Sequence, residues 1–131
     1  MANQTGLAAH PIIGFVTIFD VEQAKRFYRD TLGLRLVSEE LPFALVFDAN
    51  GTMLRLSIGS EAPRTAGTVL GWKVTDIRST AESLKQAGVT FVRYPFLEQD
   101  DLGIWTAPGA ARVAWFQDPD GNTLSISQHE A

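Results

Sequence analysis

The sequence predicts an α+β fold built from two tandem βαβββ modules, each a small sheet backed by one helix. Three observations carry this. The order strand, helix, strand, strand, strand runs twice along the chain. Each helix opens on an aspartate and closes on a glycine. The two halves align by simple offsets: Asp20 and Asp76 stand 56 residues apart, and Asp48-Ala49-Asn50-Gly51 stands 70 residues before Asp118-Pro119-Asp120-Gly121. The offset grows because the second half carries an insertion of about 14 residues near 95–109.

In the first module, "FVTIFD" (15–20) is rich in β-branched and aromatic residues and reads as a strand. Asp20 then caps "VEQAKRFYRDTL", with Gln23 three residues on to complete a capping box. Ala24, Phe27, Tyr28 and Leu32 fall on one helical stripe, and Gly33 stands where a left-handed cap belongs. "LRLVSE" and "FALVFD" read as strands around a turn at Pro42. "ANG" is a hairpin turn into the strand "TMLRLSI". The segment "GSEAPRTAG" (59–67) is a linker.

In the second module, "VLGWKVTD" (69–76) is a strand ending on the cap Asp76. The helix "IRSTAESLKQA" puts Ile77, Ala81 and Leu84 on one face, with Gly88 after it. "VTFVRY" reads as a strand. After the insertion, "ARVAWFQ" and "NTLSIS" form a hairpin around "DPDG". Neither unit is large enough to stand alone, so the two should share an interface within one domain spanning residues 1–131. Module one runs over about 11–58 and module two over about 68–128.

Composition narrows the function. The chain has no cysteine, which excludes disulfides and zinc sites built on thiolates. That suits a cytoplasmic protein. Its formal charge is −4 with no basic cluster, which argues against nucleic acid as a partner. "MANQTGLAAH" lacks the basic start and apolar run of a secretory signal, and no apolar stretch is long enough to span a bilayer.

"AKRFYRDTLGL" followed by "WFQDPDGNTLSI" resembles the vicinal oxygen chelate superfamily, which holds glyoxalases, bleomycin-resistance proteins, extradiol dioxygenases and fosfomycin-modifying enzymes. The resemblance covers about residues 11 to 128. It implies sheets curled around a cavity, a homodimer, and a cavity between the modules or near the dimer interface. In the family's metal enzymes one ligand comes from the first strand of each module, seven residues before the capping Asp, and one from its last strand. Those slots here are Ile13, Arg55, Val69 and Ser125. Ile and Val offer no lone pair, Arg repels a cation, and Ser alone is a poor ligand. Shifting the frame by one gives Gly14 and Leu70 and turns the side chain to the other face. The resemblance therefore implies the fold without its metal centre, and no cofactor.

Strand alternation assigns the faces. Ile13, Phe15 and Thr17, then Met53, Arg55 and Ser57, should face the cavity in module one. Val69, Gly71 and Lys73, then Thr123, Ser125 and Ser127, should do so in module two, with Trp72 and Val74 on the helix side. The insertion adds Phe96, Trp105 and the carboxylates of Glu98, Asp100 and Asp101. The expected ligand-binding set is Phe15, Met53, Arg55, Glu98, Trp105 and Ser125, taking a partly aromatic small molecule. Phe15 and Met53 read equally as core filling, and Arg55 as a structural ion pair with Glu98 or Asp48. The insertion carboxylates favour a cationic ligand, whereas Arg55 and Lys73 favour an anionic one. An enzyme with a metal relocated to His10, Glu98 and Asp100, or with a metal-free mechanism using Glu98 or Asp100 as base, is the alternative.

Overall fold

The computed structural model describes residues 6–63 and 66–129. The start of the amino-terminal stretch (1–5) and linker residues 64 and 65 lie outside them. The first sheet contains β1 (Ile13–Ile18), β2 (Arg35–Glu40), β3 (Ala44–Ala49) and β4 (Thr52–Ile58) in the order β1-β4-β3-β2. The second contains β5 (Thr68–Lys73), β6 (Trp105–Thr106), β7 (Arg112–Gln117) and β8 (Thr123–Gln128) in the order β5-β8-β7-β6. In each, the first strand runs parallel to the last and the remaining neighbours are antiparallel. Helices α1 (Val21–Arg26) and α2 (Ile77–Gln86) follow the first strand of each sheet. The two sheets form no closed barrel.

Both helices start on the expected caps, since Asp20 Oδ1 accepts from the Gln23 amide and Asp76 Oδ1 from the Ser79 amide, each at 3.1 Å. The reciprocal half of the capping box is not made by Gln23. The Asp20 amide donates instead to Asp120 of module two, at 3.3 Å. Beyond Arg26 the helix widens into a π turn (Phe27–Thr31), in which the Leu32 amide reaches back to the Phe27 carbonyl. Gly33 and Gly88 both take positive φ just past their helices, which ends each one cleanly.

Alternate residues of β1, β4 and β7 are buried, and β3 is buried on both sides over Ala44–Phe47. Val16, Ile18, Leu54, Leu56, Leu45 and Phe47 from the first sheet join Ala114, Phe116, Leu124 and Ile126 from the second in a single core. The helices seal it with Ala24, Tyr28, Ile77 and Ala81. Phe27 lies with its ring centroid 6.5 Å from that of Phe116, so the π turn that extends α1 packs on the other module's sheet. The shared interface expected from module size is therefore a continuous hydrophobic core.

The expected strand "VTFVRY" is not formed. Residues 89–94 run beside β7 with a ladder-like bond from the Val92 amide to the Trp115 carbonyl, but the insertion brings in β6, which pairs with the rest of that edge. Gln99 replaces the missing ladder. Its Oε1 accepts from the Tyr94 amide at 2.8 Å, and its Nε2 donates to the carbonyls of Val92 and Gly103. A side-chain amide carries a donor pair and an acceptor, so one residue satisfies three backbone groups.

Candidate functional site

The candidate site is the face of each sheet turned away from the helices. On the first sheet the register aligns Ile13 with Met53, Phe15 with Arg55, and Thr17 with Ser57. Phe15 is 61% exposed and Met53 42%, so neither is filling the core of a single chain. Arg55 is partly buried and bonds Glu40 Oε1 at 2.9 Å. The partner is Glu40, not Asp48 or Glu98, because β2 brings Glu40 to the neighbouring row of the same face.

On the second sheet one row runs Gly71, Ser125, Trp115, and the next runs Lys73, Ser127, Val113, Trp105. A bulge between Thr68 and Leu70 takes Val69 out of register and packs it against the core. Ser125 is buried, and a Cβ built on Gly71 would come within 2.6 Å of its Oγ. The serine hydroxyl thus fills the space that a side chain at 71 would occupy. The indoles of Trp105 and Trp115 lie 6.0 Å apart, and Tyr94 meets Trp115 edge-on at 5.3 Å. Trp115 and Tyr94 were not among the expected ligand contacts. Strand alternation with Ser125 opposite was the signal that places Trp115 on this face.

The insertion turns towards the helices. Arg78 of α2 bonds Asp100 at 3.0 Å and Asp101 at 3.3 Å. The Asp100 Oδ1 accepts from the amides of Leu102 and Ile104, and those two side chains are buried in the core. Arg78 lowers the pKa of Asp101 below the usual carboxylate value by hydrogen bond and charge. Glu98 sits at the outer edge near Arg78 and Arg112. The structure thus gathers Phe15, Met53 and Arg55 on one open face and Trp105 and Ser125 on the other, with Glu98 near Trp105 in an outer-edge hollow that Arg78, Asp100 and Arg112 also line.

A metal does not fit the residues present. The slots Ile13, Arg55, Val69 and Ser125 supply at most one weak oxygen donor, and Arg55 brings a positive charge. His10, Glu98 and Asp100 do not assemble: among the described residues no three His, Cys, Asp or Glu side chains gather as ligands. No helix among them is long and apolar enough to cross a membrane.

The DPDG turn has a different role. Asp118 and Asn122 are almost wholly buried. The Asp118 carboxylate accepts from the Tyr28 hydroxyl at 2.8 Å, from the amides of Asp120 and Asn122, and from Asn122 Nδ2. Asp120 accepts from the amides of Phe19 and Asp20, and Asn122 Nδ2 donates to the Thr17 carbonyl. This turn of module two is a latch on the strand-to-helix corner of module one. Burial, then the charge of Asp118, pushes the Tyr28 phenol far above its ordinary pKa, so it stays a donor.

Comparison with known proteins agrees with this architecture. Residues 9–126 match the family described as Glyoxalase/Bleomycin resistance protein/Dioxygenase superfamily. The uncharacterized protein YraH of Bacillus subtilis (strain 168) is 31% identical over 122 residues, covering 82% of this chain and 88% of that one. A glyoxalase/bleomycin resistance protein/dioxygenase from Alicyclobacillus acidocaldarius superposes with a TM-score of 0.70 at 19% identity, over 93% of this chain and 92% of that one. A lactoylglutathione lyase from Agrobacterium tumefaciens does so with a TM-score of 0.66 at 17% identity, over 89% and 92%. At these identities the superpositions speak to the fold alone.

Proposed function

Since the chain belongs to the Glyoxalase/Bleomycin resistance protein/Dioxygenase superfamily, we propose that it is a metal-free small-molecule binding protein of the glyoxalase/bleomycin-resistance type. It binds a partly aromatic ligand on the open faces of its sheets, between the modules or at the interface of a homodimer, in the cytoplasm. The observation that carries this reading is the chemistry of the four ligand slots. Two are aliphatic, Arg55 is a cation occupied by Glu40, and Ser125 is packed over Gly71.

The remaining features support binding. A ligand site needs apolar surface with a few orienting polar groups. Trp105, Trp115 and Tyr94 provide flat surface on one sheet, and Phe15, Ile13 and Met53 provide exposed apolar surface on the other. Large apolar side chains left exposed together on one face favour a covering partner, and a second copy of the chain is the partner proposed.

The test is elemental analysis of protein purified without a metal-affinity tag, before and after exposure to Mn, Fe, Zn and Ni. No stoichiometric ion is expected. One ion bound tightly per chain would overturn the reading and favour an enzyme with a relocated metal. Light scattering on the same sample is expected to give the mass of a dimer.

A further inference from the structure

We propose that the open face of the second sheet binds an aromatic carboxylate, with Lys73 as its counter-ion and Trp115 as its stacking surface. This rests on the metal-free binding reading above and adds the ligand's charge and shape.

The charges decide the sign. The sequence leaves acidic and basic groups in conflict, and the structure separates them. Asp100 and Asp101 are bonded to Arg78 of α2, and Asp100 with Glu98 lines the hollow at the outer edge beside Trp105, outside the rows that hold Lys73 and Trp115. On the first sheet Arg55 is bonded to Glu40, and Asp48 stands opposite Arg35. On the second sheet the open-face rows hold no Asp or Glu, and Lys73 has no carboxylate partner among the described residues. An exposed ammonium beside an apolar wall is a site for an anion.

The neighbours of Lys73 fit one carboxylate. Ser127 is opposite it in register, and Ser127 Oγ lies 3.0 Å from His129 Nε2. With the imidazole as donor in that contact, the serine hydrogen is free to point at a ligand oxygen. One ammonium and one hydroxyl match a monoanion. A phosphate would call for a guanidinium fork or a nest of backbone amides, and neither stands on this face.

The rest of the row sets the shape. Trp115 faces Ser125, two residues from Ser127 on the same face, so the diagonal from Ser127 to the indole's residue is about 7–8 Å. The residues between them are small: Gly71 has no side chain, and Ser125 is short and buried. Trp115 is braced by Trp105 and Tyr94, which fixes its plane before a ligand arrives. A ring on the indole with its acid one or two carbons away spans this floor.

The experiment compares three probes of one shape: naphthalene-1-acetate, naphthalene-1-acetamide and 2-(1-naphthyl)ethylamine. Binding to the whole protein is followed by the indole N–H signals in a 15N correlation spectrum. Trp105 and Trp115 should move, while Trp72, stacked on Phe116 on the helix side, should not. The acetate is expected to bind about fivefold tighter than the amide, the scale of a partly exposed ion pair, and the amine weakest. Lys73→Gln should make acetate and amide equal. Equal binding of all three, or preference for the amine, overturns the charge assignment and leaves the binding reading standing. A preference for acetate that survives Lys73→Gln overturns the role of Lys73. If no probe moves Trp105 and Trp115 at its solubility limit, the site on the second sheet is overturned, while the metal-free reading is decided by the metal analysis above.

Discussion

Tyr28→Phe isolates the latch between the modules. The substitution keeps the ring, so the contacts of residue 28 with Phe27 at 5.4 Å and Phe47 at 6.1 Å remain. It removes only the hydroxyl that donates to Asp118 at 2.8 Å. Tyr28 is 0% exposed and Asp118 5%, so water has little room to replace that donor. A hydrogen bond to a charged group contributes about 1.5–3 kcal/mol net. The Asp118 carboxylate keeps three other donors, which puts the expected loss near 2 kcal/mol. For a domain of this size that is about 5–10 °C in Tm. The assay is urea unfolding followed by circular dichroism at one fixed protein concentration, because a dimer's stability depends on concentration. Asp118→Asn alone and combined with Tyr28→Phe completes a double-mutant cycle, with a coupling of about 1 kcal/mol or more expected. A loss below about 0.5 kcal/mol for Tyr28→Phe, or strict additivity in the cycle, would refute the view that this bond joins the modules.

Two further outcomes follow from the geometry. Gly71→Ala should cost about 1–3 kcal/mol, because its Cβ would meet Ser125 Oγ at 2.6 Å. Adding Ser125→Ala should recover most of that loss, since the next contact is the Ser125 carbonyl at 3.5 Å; thermal melts of the two single variants and the double variant check this. The Asp101 carboxyl, held low by Arg78, should titrate below the ordinary carboxylate range. Its folded pKa is depressed, so its stabilising contribution is present above the unfolded value and is lost as pH falls through the folded one. Carboxyl-carbon NMR should show that midpoint rising in Arg78→Gln, and an unchanged midpoint would disprove the pairing.

The repeat made most of the fold legible. Period-2 alternation in "FVTIFD" and "TMLRLSI", with an Asp before and a Gly after each helix, is local information that tertiary structure left intact. The failures came where a distant residue competes for a local group. Gln23 had the right spacing for a capping box, yet Asp120 takes the Asp20 amide from the other module. "VTFVRY" had strand composition, but Gln99 and β6 together satisfy the edge it would have occupied. The same limit holds at the candidate site. Ser125 is found by alternation and Trp105 as an aromatic of the insertion, whereas the pairing of Arg55 with Glu40 depends on the β2–β3 register, which spacing along the chain does not fix. The direction of the insertion was invisible for that reason too: its acidity suggested a ligand, and Arg78 was already waiting on α2.

The latch also constrains the order in which the molecule can be made. The amides of Phe19 and Asp20 stand at the mouth of α1, and the carboxylate that satisfies them lies about a hundred positions further on. Until Asp120 is in place, the first module begins its helix with those donors facing water. Such long-range closures are slow, because their entropy is spent before any contact repays it. A nascent chain carrying only the first repeat is therefore an unfinished object, whose helix mouth is closed only by the turn of the second repeat's last hairpin.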